Sequence, residues 1–303
     1  MIDMQEIINK INKLKQSKNA VILAHNYQIP EIQDIADYVG DSLGLSIEAS
    51  KTKADMIVFC GVYFMAETAA ILCPEKTVVM PDVNAGCPMA NMMKASDVRK
   101  LKKEHPGHIV VTYVNSSAEV KAESDYCCTS ANAVKVVEKL IDKEIIFIPD
   151  KYLGDYVSKQ TGKKMVLFNG FCPTHVRILP EHIDIAKRKH PNALVIVHPE
   201  CLPSVIEKAD KVASTGGMMK FVKGSPADEF IIGTEVGIIY RLQKENPGKK
   251  FYPATPLAVC PNMKRTTLEK VLWSLEEGKT RVTVPPVIAS KAKLAIDRML
   301  QLV

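Results

Sequence analysis

The sequence predicts an α/β protein of three homologous three-layer αβα domains with parallel sheets, set around a pseudo-threefold axis. Three observations lead there. Short β-branched runs alternate with amphipathic helical stretches, the same set of segments recurs three times with one pair of offsets, and three cysteines recur with the same two spacings in reverse order. Length alone, 303 residues, suggests about two domains. The repeat overrides that expectation, and its period is too long for a solenoid.

The elements follow in chain order. Met4, Ile7, Ile8, Ile11 and Leu14 share one helical face, so a helix precedes the first strand. The first strands are VILAHNYQIP (21–30), VVTYVNSSAE (110–119) and VIVHPECLPS (195–204), and they end on His25, Tyr113 and His198, spaced by 88 and 85. A second set, DYVGDS (37–42), DYCCTS (125–130) and DKVAST (210–215), repeats its aspartates, Asp37, Asp125 and Asp210, with the same offsets. A third set, IVFCG (57–61), IIFIP (145–149) and FIIGT (230–234), keeps them again. EIQDIADYV and SANAVKVVEKLI have helical periodicity between strands, and KKEHPG and KRKHPN lead into the second and third repeats. The expected domains are residues 1–91, 92–178 and 179–264. LEKVLWSLEEG and VIASKAKLAIDRML, within 265–303, read as two extra helices that close back on the first domain.

Composition narrows the function classes. Hydrophobic residues make up 47% and charged residues 24%, which rules out wholesale disorder. Forty basic against thirty-four acidic residues give a net charge of +6 without a Lys/Arg run, so no nucleic-acid partner is expected. No apolar stretch nears the ~18 residues of a membrane helix, and the N-terminus lacks a signal-peptide core. The expectation is a cytoplasmic protein without a membrane partner. Eight spread-out cysteines with no C-x-x-C pair do not suit a secreted disulfide scaffold or a zinc ribbon.

Cys87, Cys172 and Cys260 differ by 85 and 88, and each is followed by proline. Around a threefold axis, equivalent loops bring one thiolate each to a common point. Three thiolates suit a [4Fe–4S] cubane that keeps one iron free of protein ligands. Three structural cysteines, or a zinc site completed by His175, are the alternatives. The remaining cysteines break the register and read as small apolar fillers. An iron with an open position is a Lewis acid, which favours dehydratase-type chemistry over electron transfer.

The strand ends supply the rest of a candidate site. His25, Tyr113 and His198 are followed two residues on by Tyr27, Asn115 and Glu200, which places acids, bases and hydrogen-bond donors on one central cavity. Ser42, Ser130 and Thr215 precede helical stretches, as N-caps or as parts of an anion site, and the two roles are compatible.

The motifs AHNYQIPEIQDIADYVGDS (24–42), GCPMA around Cys87, YVNSSAEVKAESDYCCTSANA (113–133), HPEC (198–201), STGGM (214–218), IGTEVG (232–237) and AVCPNMK (258–264) closely resemble the quinolinate synthase A family, over essentially the whole chain. The resemblance implies condensation of iminoaspartate (iminosuccinate) with dihydroxyacetone phosphate to quinolinate, with loss of phosphate and water, in de novo NAD biosynthesis. It implies a [4Fe–4S] cluster on Cys87, Cys172 and Cys260, and an aspartate oxidase as source of the imine. Substrate contacts would be His25, Ser42, Tyr113, Asn115, Ser130, His198, Glu200 and Thr215. Tyr27, on a mobile loop, would join Tyr113, His198 and Glu200 in the proton transfers. Some family members carry a C-x-x-C near the last ligand; here Cys260 is followed by Pro261, Asn262 and Met263, which argues against a thiol–disulfide switch there.

Overall fold

The computed structural model describes residues 3–302 and contains one element order written three times. The first unit runs α1 (Met4–Ser17), β1 (Ala20–His25), α2 (Pro30–Ile35), β2 (Tyr38–Gly40), α3 (Ser42–Lys51), β3 (Met56–Cys60), α4 (Tyr63–Leu72) and β4 (Thr77–Val79). The second runs α5 (Ala95–Glu104), β5 (Ile109–Tyr113), α6 (Ala118–Ala122), β6 (Tyr126–Cys128), α7 (Ala133–Lys139), β7 (Ile145–Ile148), α8 (Lys151–Thr161) and β8 (Val166–Leu167). The third runs α9 (Pro180–Lys189), β9 (Leu194–Val197), α10 (Pro203–Ile206), β10 (Lys211–Val212), α11 (Thr215–Gly224), β11 (Glu229–Gly233), α12 (Ile238–Glu245) and β12 (Lys250–Pro253). Two helices follow, α13 (Leu268–Glu277) and α14 (Pro286–Leu300).

Each unit forms a four-stranded parallel sheet with its first-numbered strand second in the order, β2-β1-β3-β4, β6-β5-β7-β8 and β10-β9-β11-β12. Parallel neighbours need a crossover between them, which is why helices separate the strands. Alternation along each strand assigns the two faces. Ile22, Ala24 and Val58 pack with α1 and α13, Val110, Ile146 and Ile148 form a second outer cluster, and Val195, Val197 and Ile231 a third. Their sequence neighbours Leu23, Ile57, Val111, Ile145, Phe147, Ile196, Phe230 and Ile232 turn the other way into one core shared by all three units. The units are therefore joined through apolar packing.

The repeated aspartates have a physical cause. Ile22, Val110 and Val195 each donate their backbone N–H to the carboxylate of Asp37, Asp125 and Asp210, at 2.8, 2.8 and 2.7 Å. Each aspartate N–H returns a bond to the carbonyl of that same strand residue. One side chain thus fixes the start of the second strand on the first. This clamp also divides EIQDIADYV: its helical part ends at Ile35, and Tyr38 already belongs to β2.

The two last helices separate. Leu268, Val271, Leu272 and Leu275 of α13 join Ile7 and Ile11 of α1 on the first unit. The expectation that both helices pack there needs correcting for α14, whose main neighbours are α6 and β6 of the second unit, with α4 beside them. Its inner face is Ala292, Ala295, Ile296 and Met299, and Arg298 lies over the Tyr126 ring while donating to the Asp125 carbonyl. Small residues at 292 and 295 let that helix approach the shared core. No helix among the described residues is long and apolar enough to cross a membrane.

Candidate active site

Parallel strands in a sheet end on the same edge, so the loops beyond them gather there. The three sheets turn these edges toward one cavity of about 190 Å³. That is smaller than the ~300–1,000 Å³ of drug-sized pockets and suits small metabolites. All the residues singled out above line it: His25, Tyr27, Ser42, Cys87, Tyr113, Asn115, Ser130, Cys172, His198, Glu200, Thr215 and Cys260.

Two histidines share one local device. The Tyr27 N–H donates to His25 Nδ1 at 3.2 Å, and the Glu200 N–H donates to His198 Nδ1 at 3.3 Å. With Nδ1 occupied as an acceptor, each neutral ring carries its proton on Nε2. Burial pushes both rings down to about 3, so they stay uncharged at neutral pH. His198 Nε2 lies 3.2 Å from Ser130 Oγ.

Glu200 is the charged centre. Burial opposes its ionisation, but His175 beside it, with hydrogen bonds from His175 and Tyr113, holds its carboxyl well below the usual range. His175 Nδ1 is 2.7 Å from Glu200 Oε2. Asn115 donates to Glu200 Oε1 at 3.4 Å, while its own Oδ1 is buried without a partner. Tyr27 and Tyr113 are pushed well above the ordinary phenol range, first by burial and then by the Glu200 charge. The site thus separates one ionised carboxylate from two protonated phenols and two neutral imidazoles, an acid/base division set by environment.

The hydroxyls are not the helix caps. Asp41 caps α3 by accepting from Gly44 at 2.9 Å, and Ser214 caps α11 by accepting from Gly217 at 3.1 Å. Ser42 and Thr215 are the first residues of those helices, and Ser130 lies two residues before Asn132, the N-cap position of α7. Their position at helix starts leaves Ser42 and Ser130 facing the cavity without capping duty.

The three regularly spaced cysteines sit in matched turns. Short 3₁₀ turns at Ala90–Met92, His175–Arg177 and Met263–Arg265 each begin three residues after a cysteine. Backbone N–H groups of these turns point at the sulfurs: Ala90 and Met89 at Cys87, His175 at Cys172, Met263 and Asn262 at Cys260. Burial pushes all three thiols up, Cys87 to about 12. Such N–H donors favour anionic sulfur; among the other five thiols Cys201 also meets one, from His198, but it does not line the cavity, so the three cavity-facing, donor-bearing thiols fit a metal–sulfur centre. Cys172, His175 and Glu200 also bring one ligand atom each within 4.8 Å of one another, so a single ion is a second possible occupant.

Sequence reasoning missed several members. His175 stands in the sequence only as an alternative zinc ligand, yet it bridges Glu200 and Thr234 Oγ1, the latter at 2.8 Å. Thr234 also bonds the Tyr27 hydroxyl at 2.5 Å. Gln33 and Lys121 occupy one register position and do one job: they donate to the Gln28 and Ser116 carbonyls, which brace the loops of Tyr27 and Asn115. The third unit has Ile206 there, so side-chain identity does not reveal the shared role.

Comparison with known proteins agrees with this architecture. The family model described as quinolinate synthetase A protein matches residues 9–301. The chain belongs to this family. The quinolinate synthase of Methanosarcina barkeri is 56% identical over 295 residues, covering 97% of each chain. That of Dehalococcoides mccartyi is 56% identical over 297 residues, 98% of each, and that of Methanoregula boonei 55% over 302 residues, covering both chains fully. As a member of the quinolinate synthetase A family, the chain is an enzyme acting on small molecules.

Proposed function

We propose that the enzyme condenses iminoaspartate with dihydroxyacetone phosphate to give quinolinate, phosphate and water, in de novo NAD biosynthesis. The observation that carries this reading is the cavity itself, where three matched cysteine turns face a ring of His, Tyr, Glu and hydroxyl groups from all three units. Cys87, Cys172 and Cys260 would hold a [4Fe–4S] cluster, which supplies a Lewis-acidic iron with an open position when bound.

The chain's own residues account for binding and proton movement. The neutral Nε2–H groups of His25 and His198, with Thr215, hold the substrate carboxylates. Asn115 Oδ1, without a partner, accepts from the imine nitrogen as it becomes an N–H. Ser42 and Ser130 at the helix starts take the triose phosphate. Glu200, ionised, takes the proton released from carbon during condensation, and the phenols of Tyr27 and Tyr113 return protons to leaving oxygen. A buried Tyr27 closes the cavity and limits competing hydrolysis of the imine. The reading carries a cytoplasmic location, with an aspartate oxidase supplying the imine.

The test is anaerobic. The protein is reconstituted with iron and sulfide, given dihydroxyacetone phosphate and freshly generated iminoaspartate, and the product is identified by mass. Quinolinate that disappears in Cys172→Ser is the expected result; a fully loaded cluster without quinolinate overturns the reading. The Cys172, His175 and Glu200 grouping supports one rival, a single ion. Zinc without inorganic sulfide would establish that rival.

A further inference from the structure

At one wall of the cavity lies a polar cluster that none of the roles above uses. Glu235 is fully buried. Its Oε1 accepts the backbone N–H of Cys260 at 3.2 Å, and its Oε2 accepts that of Gly237 at 2.7 Å. The same carboxylate pairs with Lys264, Nζ lying 2.9 and 3.1 Å from its two oxygens. Lys264 then reaches across to the first unit and donates to the carbonyl of Tyr27. A second tie runs parallel: buried Gln33 donates to the Gly237 carbonyl at 3.0 Å and to the Asn26 and Gln28 carbonyls on either side of Tyr27, at 3.3 and 2.8 Å. The junction is too tight for a side chain at 237. A Cβ there would stand 2.5 Å from Lys264 Nζ, 2.7 Å from the Tyr27 oxygen and 2.8 Å from Glu235 Oε2.

We propose that Glu235 and Lys264 are positioning residues that fasten the Tyr27 loop to the Cys260 loop, making closure of the phenol over the cavity and the conformation of that cysteine one equilibrium. The reason is geometric. A single buried carboxylate fixes the N–H of Cys260 and the ammonium that holds the Tyr27 carbonyl, so neither loop can shift without leaving a buried charge short of partners. Within its own unit the Tyr27 segment is held by backbone bonds, by its N–H on His25 Nδ1 and by Gln33, and the tie to the Cys260 loop comes from Lys264. Coupling of this kind is reciprocal: whatever orders the Cys260 loop favours the closed Tyr27, and a ligand held under Tyr27 orders the cysteine. The inference rests on the proposed role of Tyr27 over the cavity, but its test needs neither substrate nor turnover.

That test is native-state hydrogen exchange on the anaerobically prepared full chain, read at segments 26–29 and 258–263. Wild-type amides there are hydrogen-bonded, Asn26 to the Gly40 carbonyl, Gln28 to that of His25 and Cys260 to Glu235. The paired variant Glu235→Gln with Lys264→Met removes both charges together, and both segments should then exchange at least about tenfold faster. Segments 85–91 and 171–177 should keep wild-type rates, and the conservative Lys264→Arg alone should retain protection at both loops. Gly237→Ala keeps both charges and breaks the junction by sterics, so it gives the same answer if the paired variant does not fold. Unchanged exchange at 26–29 in either folded variant overturns the proposal. So does faster exchange at 26–29 with 258–263 unchanged, which would make Lys264 a local prop without a link. A wild-type enzyme that makes no quinolinate would sink the proposed reaction and leave these exchange results standing.

Discussion

Cys87, Cys172 and Cys260 differ from Cys60, Cys73, Cys127, Cys128 and Cys201 in exposure and in what surrounds the sulfur. The first three are partly exposed, line one cavity and receive backbone N–H groups from a turn that follows. The other five are buried among apolar side chains, and burial raises their thiols; Cys73 and Cys201 donate to the carbonyls of Ala49 and Gly233. The contrast teaches that a cysteine's chemistry is set by donors that meet it where it faces a cavity: Cys201 receives the His198 N–H yet stays among apolar neighbours. Those donors recur here because the turn recurs.

The sharpest way to break the comparison is Cys172→Ser. A serine hydroxyl is a poor ligand for iron, so iron and sulfide analysis should show the centre lost and quinolinate formation abolished. Retention of a full centre would place Cys172 with the fillers. Glu200→Gln comes next. It keeps the shape of the side chain and removes the ionised acceptor, so turnover should fall by about 10²–10⁴-fold while iron content stays at the wild-type level. Unchanged turnover would take Glu200 out of the proton transfers.

Acid sensitivity should concentrate at the site. His25 is held neutral down to about 3 when folded, whereas in the unfolded chain it protonates near 6.5. The unfolded state therefore binds more protons across that window, and stability declines as pH falls from about 6.5 to about 3. Urea unfolding at stepped pH should show a shallower decline in His25→Gln than in wild type. Equal slopes would mean that other groups dominate. A smaller effect is expected from Ser42→Ala and Ser130→Ala, each raising the KM for dihydroxyacetone phosphate about tenfold through loss of a hydrogen bond to a charged group. An unchanged KM would move the phosphate elsewhere.

Much of this architecture was legible because the fold is written three times. Asp37, Asp125 and Asp210 stand in register since each closes the same strand junction, and the three sheets and the shared cavity edge follow from that register. What escaped is what the repeat does not copy. Gln33, Lys121 and Ile206 share a position and differ in chemistry, so their common place carries no sequence signal. Thr234 and Lys264 act across unit boundaries, on Tyr27 more than two hundred residues away, and Glu235 holds Lys264 in place for that reach. The placement of α14 on the second unit depends on which groove its alanines fit, and helical periodicity says nothing about that.

The gentlest perturbation tests the filler side of the comparison. Cys60 ends β3 with no exposed surface and packs in the outer cluster of the first unit, among Ile22, Ala24 and Val58. Its sulfur has no role in the cavity, and Cys60→Ala removes one buried atom from a close-packed region. The cost should be about 1 kcal/mol of stability, the range of a small core truncation. Iron content and turnover should match wild type, measured beside Cys172→Ser under the same anaerobic reconstitution. If Cys60→Ala loses iron, burial in an apolar layer does not mark a cysteine as inert, and the register argument for the other three weakens with it. If it loses only stability, two cysteines of one chain, one in a matched turn and one in a sheet, will have been separated by the N–H donors that one has and the other lacks.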